Sequence, residues 1–326
     1  MATSKTKYEA TDTEIKELFL AHRIGNVSEI APLGDGEFNA AYKVKCDDGT
    51  SYVLKIAPPE DSKVLSYEKG MMESEVFWYK MMHEKTDILC PKIYASDFSQ
   101  TILHSNCFIM EMMEGEPLWA ADFTESEKKQ IQTKKIEMLT KIHSISNDKF
   151  GYRQAGLHDT WYLALRAMAE NLVKDCKALG KETPDGEKFI GYIDKYRKIL
   201  EKVPCRMVNF DLWDSNILYN PKTAQICWID PERGFWGDPV ADFITLGSGQ
   251  KTLLSQKQNE LDIYNEMTKE KIQLTEETEI RYALLVCYLA LIEEVEKYVR
   301  YETDHPNYIR NTSDAREMYD IAFKVL

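Results

Sequence analysis

Val208-Asn209-Phe210-Asp211-Leu212-Trp213-Asp214-Ser215-Asn216-Ile217-Leu218, followed downstream by Ile229-Asp230-Pro231-Glu232-Arg233-Gly234, is the densest run of chemically suggestive residues in this chain. Asn216 to Tyr219 reads as a short apolar strand and Asn220-Pro221-Lys222-Thr223 as a turn. Gln225 to Ile229 is the returning strand, ending on Asp230. Such a hairpin brings Asn216 and Asp230 to the same end. Asp211, five residues before Asn216, lies on the loop that leads in. This order of oxygen-bearing side chains suits a phosphoryl transfer, in which one carboxylate orients an attacking hydroxyl. Further oxygen ligands must hold Mg²⁺ against nucleotide phosphates. Singly, an Asp in a loop is a cap and an Asn a turn residue; the three together, with flanking strands, point to a site.

Asp211-Leu212-x-x-x-Asn216 with Ile229-Asp230-x-Glu232 resembles the aminoglycoside phosphotransferase and choline kinase group, the small-molecule branch of the protein-kinase-like fold. Gly237-Asp238-Pro239-x-x-Asp242 continues the resemblance, and Asp211-Leu212-Trp213 is similar to fructosamine kinases. Asn209 departs from the pattern, because the group usually has His there. An Asn can still hydrogen-bond in its place.

The resemblance implies an α+β, two-lobed protein-kinase-like fold: a small antiparallel β-sheet lobe with one helix, then a larger, mostly helical lobe. Residues 1–112 would form the nucleotide-binding lobe. Residues 113–326 would carry the catalytic loop, metal site and acceptor pocket. Asp211 would be the catalytic carboxylate, and Asn216 and Asp230 the metal ligands.

The first part of the chain contains what such a lobe needs. Ile30 to Val44 reads as strand, glycine turn, strand, with Gly34 and Gly36 letting backbone amides approach phosphate oxygens. Gly-Asp-Gly is also an ordinary hairpin turn, but Gly36-x-x-Asn39-x-x-Tyr42 resembles the group's phosphate loop. Ser51 to Ile56 is an apolar strand holding one lysine, Lys55, whose charge there needs a partner. The helical pattern after Gly70 supplies Glu75, with Glu73 as the alternative. Cys107 to Glu114 reads as the last strand of the lobe, running into a hinge where Glu111 and Met113 would meet the base of the nucleotide. A Met-rich strand is otherwise ordinary core filling.

Length and composition agree. A chain of 326 residues, 44% hydrophobic and 29% charged, exceeds one simple core and has the balance of a soluble protein. No apolar leader follows the polar start, and the longest apolar run, Tyr282 to Ile292, is too short to span a bilayer. Seven scattered cysteines without a Cys-x-x-Cys pair point to reduced thiols and a cytoplasmic setting. A net charge of −13 disfavours nucleic-acid or anionic-membrane partners and is compatible with a cationic acceptor.

The remainder reads as helices over Glu125–Ile145, Trp161–Leu179, Leu261–Lys269, Glu276–Tyr301 and Ala315–Val325, with Gly180 to Glu187 as a loop. His143 reads as structural. Glu293, Glu294 and Glu296 read as a solvated helix face, whereas Asp214 and Glu232 are the better candidates for touching an acceptor and Trp213 for stacking on it. The expected partners are ATP or GTP with Mg²⁺ and a small acceptor such as an aminoglycoside, amino alcohol or sugar. Two alternatives stay open: a kinase-like nucleotide-binding module without transfer, and a metal-dependent hydrolase using the same carboxylates. The sequence is silent on oligomeric state.

Overall fold

The structure, a computed structural model, describes residues 7–34, 38–246 and 250–326. Gly36 of the expected phosphate loop lies outside the described residues. Helix α1 (Asp12–Ala21) opens on a capping box in which Thr11 and Glu14 satisfy each other's backbone amides. Strands β1 (Val27–Pro32), β2 (Ala40–Cys46) and β3 (Ser51–Ile56) follow. Next come helix α2 (Met71–Lys85) and strands β4 (Ile93–Asp97) and β5 (Cys107–Glu111). The five strands form one antiparallel sheet in the order β1-β2-β3-β5-β4. One face is covered by α1, where Ile15, Leu18 and Phe19 pack with Val44, Leu54, Ile56 and Ile109. On the other side Val53, Phe108 and Met110 join α2 residues Val76, Tyr79 and Met82 in the main core.

After Glu111 the chain changes character. The two-residue β6 (Glu116–Pro117) pairs with β8 (Ile217–Asn220) of the second half, which in turn pairs with β9 (Gln225–Trp228). Gly115 makes that crossing possible. At φ 141° it lies so close to the Tyr219 carbonyl that a Cβ would sit 2.8 Å from the oxygen. Between β6 and β8 run α3 (Glu125–His143), α4 (Trp161–Ala178), α5 (Pro184–Lys195), α6 (Arg197–Leu200) and β7 (Arg206–Val208). Strand β10 (Phe235–Gly237) pairs antiparallel with β7. Then follow α7 (Asp242–Thr245), α8 (Gln258–Met267), α9 (Glu276–Arg300) and α10 (Pro306–Ala322). The architecture is the expected one, a small antiparallel sheet with its helix and a larger, mostly helical part.

Several boundaries differ from the sequence reading for local reasons. Residues 180–187 are not all loop, because Thr183 caps α5 through Gly186 and Pro184 takes its first turn. Helix α10 begins nine residues before Ala315, where His305 caps and Pro306 starts it. The run Tyr282 to Ile292 lies wholly buried within α9. No helix among the described residues is long and apolar enough to cross a membrane.

Candidate active site

The hairpin of β8 and β9 sets the site. Ile217 pairs with Trp228, and the Ile229 amide donates to the Asn216 carbonyl at 3.0 Å, so Asn216 and Asp230 leave the same end of the ribbon. Asn216 itself closes a short 3-10 turn (Asp214–Asn216) rather than starting the strand. Its side-chain amide donates to the Asp211 carboxylate at 2.9 Å and to the Asp211 carbonyl at 3.1 Å, fixing those two residues side by side.

Two residues here hold left-handed backbone without being glycine: Phe210 at φ 59° and Asp230 at φ 61°. Such positions persist only where the surroundings fix them. Phe210 is fixed by Asp242, a fully buried carboxylate that accepts the Phe210 amide at 2.6 Å and the Asn209 amide at 3.2 Å. Asp242 is oriented by His143 at 3.0 Å, whose other ring nitrogen lies 3.0 Å from the Tyr264 hydroxyl. His143 thus has buried structural partners, and through Asp242 it supports the backbone at Asn209 and Phe210. The Asp230 amide donates to the Tyr79 hydroxyl of α2 at 2.8 Å. Helix α2 also presses Trp78 against Gly234, where a Cβ would lie 2.6 Å from the indole nitrogen, and that nitrogen donates to the Gly234 carbonyl at 3.1 Å.

Lys55 stands where the two halves meet. Its ammonium donates to both Glu75 oxygens at 2.9 Å, bonds to Asp230, and lies 3.3 Å from Glu232. Of the two glutamates considered on α2, Glu75 is fully buried against Lys55 and Glu73 instead accepts from Asn106 at 3.2 Å. Burial works against the charge on Lys55, but Asp230, Glu75 and Glu232 outweigh it and raise its pKa well above the usual lysine value. Asn39 joins the cluster by donating to Glu232 at 2.9 Å. Oxygens of Glu75, Asp230 and Glu232 come within 4.8 Å of one another. Carboxylate oxygens are the ligand type Mg²⁺ takes, and here the cation among them is the Lys55 ammonium.

Burial pushes the Asp211 carboxyl up to about 6, opposed first by Arg233, whose Nε lies 4.0 Å from Asp211 Oδ1. Burial, reinforced by Asp230, pushes Glu232 up to about 7. Glu232, expected to touch an acceptor, lies against Lys55 and Asn39. Asp214 is engaged by Lys135 of α3 at 2.6 Å, and Trp213 is half-buried against the core. At the expected hinge, the Glu111 amide donates to the Lys92 carbonyl at 2.8 Å and Met113 is half-buried. Gly34 is exposed at φ 63°.

Two expectations are corrected. Asn209 does not hydrogen-bond through its side chain in place of a histidine: it is 1% exposed, and neither its amide nitrogen nor its oxygen has a partner among the described residues. Nor are Glu293, Glu294 and Glu296 a solvated face. Glu296 is buried, takes Arg233 at 2.9 Å, Arg300 at 3.3 Å and the Tyr67 hydroxyl, and Glu293 has one buried oxygen without a partner among the described residues. The sequence reading missed Arg233, Tyr79 and Glu296 as parts of the site. Only Arg233 carried a signal, standing directly after Glu232.

The comparisons with known proteins follow this geometry. The family model for a phosphotransferase enzyme family (APH) matches residues 29–264. Among solved structures, a Plasmodium vivax ethanolamine kinase superposes with a TM-score of 0.67 at 15% identity, covering 94% of this chain and 87% of that one. The GDP complex of an aminoglycoside 2'-phosphotransferase superposes at 0.65 and 15% identity, covering 96% and 99%. The streptomycin–ATP complex of APH(2'')-IIa does so at 0.59 and 17%, covering 96% and 99%. At these identities the superpositions establish the protein-kinase-like fold. No curated protein matches the sequence. The family match spans most of the chain, which belongs to the phosphotransferase enzyme family.

Proposed function

We propose that this member of the phosphotransferase enzyme family transfers the γ-phosphoryl group of ATP or GTP, with Mg²⁺, to a hydroxyl of a small acceptor. The observation that carries the reading is the convergence of Lys55 and Glu75 from the first part of the chain on Asp230 and Glu232 from the second. Residues 1–112 and 113–326 then act as nucleotide-binding and catalytic parts. Lys55 releases part of its carboxylate shell to meet the inner phosphates. The backbone about Gly34 and Gly36, together with Asn39, covers the phosphates, and the hinge between Glu111 and Met113 takes the base. Asn216 and Asp230, with Glu232 beside them, are the residues that would hold Mg²⁺, which when bound supplies neutralisation of phosphate charge.

Asp211 accepts a hydrogen bond from the acceptor hydroxyl and directs it at the phosphorus. Its carboxylate is already oriented by Asn216. Positioning and charge neutralisation do most of the work in such reactions, and the carboxylate adds about 10²–10⁴ in rate. Trp213 and Asp214, which follow Asp211 on the same loop, are proposed to contact the acceptor. The net charge of −13 favours a cationic one, and a cytoplasmic setting suits both substrates.

The test is a mass-spectrometric screen of aminoglycosides, amino alcohols and sugars with Mg²⁺ and ATP or GTP, beside an Asp211→Ala control. A compound that gains one phosphoryl group only with the unaltered protein supports the reading. Nucleotide binding without any product would favour a kinase-like binding module. Absence of nucleotide binding would overturn the proposal.

A further inference from the structure

On the other face of the His143–Asp242 support lies a cavity of about 550 Å³ with His143 and Tyr264 among its lining residues. Its lining contains five cations, Lys141, Arg206, Lys269, Lys271 and Arg281, against one carboxylate, Glu270. In a chain of net charge −13 this is a local reversal of sign. The five are not equivalent. Arg281 is committed to the fully buried Asp238 at 2.7 Å, and Lys141 to Asp87 and Glu137 at 2.9 Å. Lys269 and Lys271 are exposed and make no ion pair among the described residues. Arg206 keeps most of its side chain inside the protein; among the described residues its one ionic partner is Glu270, a carboxylate 65% exposed that a competing anion can displace, and its Nη1 donates to the Cys205 carbonyl at 3.0 Å.

The segment that presents Lys269 to Lys271 is built rather than loose. Asn265 clamps it by accepting the Ile272 amide at 2.8 Å and donating to the Ile272 carbonyl at 2.9 Å. The Glu270 amide is held by Thr268 at 3.2 Å. Tyr264, Met267 and Pro239 add apolar surface to the same lining. A planar guanidinium fork, two unpaired ammonium groups and apolar surface in a cavity of this size fit one ligand chemistry: a small phosphate-bearing anion with a ring or short carbon skeleton.

We propose that this cavity is a second ligand site, for a small organic phosphate no larger than a nucleoside monophosphate. It is separate from the Lys55 cluster, and the proposal does not rest on the assigned transfer reaction. The ligand would touch two supports of the catalytic loop. Arg206 begins β7, which runs directly into Asn209, and Tyr264 holds His143, which holds Asp242.

The test is calorimetric titration of the full chain with AMP and with inorganic phosphate, in low salt, with saturating MgADP present to fill any ordinary nucleotide site. Lys269→Gln combined with Lys271→Gln provides the comparison, since both residues are exposed and outside the packed core. AMP is expected to bind the unaltered protein and to bind the double variant about tenfold more weakly, as loss of two unpaired charges implies. Arg206→Lys, which keeps the charge and removes the fork, is expected to weaken AMP as well. Phosphate binding as tightly as AMP would identify the oxyanion alone as the ligand, and AMP binding more tightly would bring in the apolar surface. No binding of either probe, or a double variant within threefold of the unaltered protein, would overturn the proposal.

Discussion

Lys55 and Glu75 meet through both carboxylate oxygens at 2.9 Å, both residues buried, and the same ammonium reaches Asp230 and Glu232. One cation thus holds three carboxylates drawn from α2 and from the loop after β9. Lys55→Met leaves all three without it. Removing one partner of a buried ion pair costs about 3–5 kcal/mol, so the melting temperature is expected to fall by several degrees. Turnover with nucleotide should fall about 10²-fold or more. A variant with unchanged melting temperature and unchanged steady-state kinetics would remove Lys55 from the site.

Asp242 organises the backbone that leads into Asp211. It accepts two backbone amides and faces His143 with no exposure to solvent. Asp242→Ala orphans two buried amides and frees Phe210 from its left-handed conformation. A loss of about 3 kcal/mol or more is expected from chemical denaturation. Retention of full stability would show that the loop is fixed by something else.

Asn209 leads to the opposite kind of prediction. Two buried polar atoms without partners each cost about 1–3 kcal/mol. Leucine has a similar shape and no polar atoms, so Asn209→Leu is expected to raise the melting temperature. A fall of several degrees would mean that the Asn side chain makes hydrogen bonds that stabilise the fold.

Lys257 is 6% exposed, and burial lowers its pKa, with Lys135 adding to the effect and Glu260 opposing it. A lysine whose folded pKa is depressed destabilises the fold while it is protonated. That penalty is fully present below the folded pKa and disappears as pH rises through the ordinary lysine value. Lys257→Met should therefore stabilise the protein at neutral pH and lose that advantage in alkaline solution. Thermal melts at both pH values check the sign, and a destabilised variant at neutral pH contradicts it.

Much of this arrangement was legible because it is local. Asp211, Asn216 and Asp230 are joined by a single hairpin whose turn residues and apolar strands are contiguous in the chain. Lys55 was marked by one charge in an apolar strand, and Glu75 by its place on the next helix. What stayed hidden depends on pairing across the fold. Glu296 looks solvated by its neighbours Glu293 and Glu294, yet Arg233 and Tyr67 reach it from other parts of the chain and Arg300 from one turn further along α9. Glu232 flanks the motif in sequence, but Asn39 and Lys55 decide which way it turns. Helix α1 was a different omission, since Thr11-x-x-Glu14 is a readable capping box that the reading passed over.

The most direct measurement is an equilibrium titration of ATP with Mg²⁺ and with EDTA, on the unaltered protein, Asp230→Ala and Asp211→Asn. The account predicts that Mg²⁺ tightens ATP binding to the unaltered protein and to Asp211→Asn, and that Asp230→Ala loses the metal response. Binding that ignores Mg²⁺, or a full metal response in Asp230→Ala, would contradict the assignment of this cluster as the nucleotide and metal site.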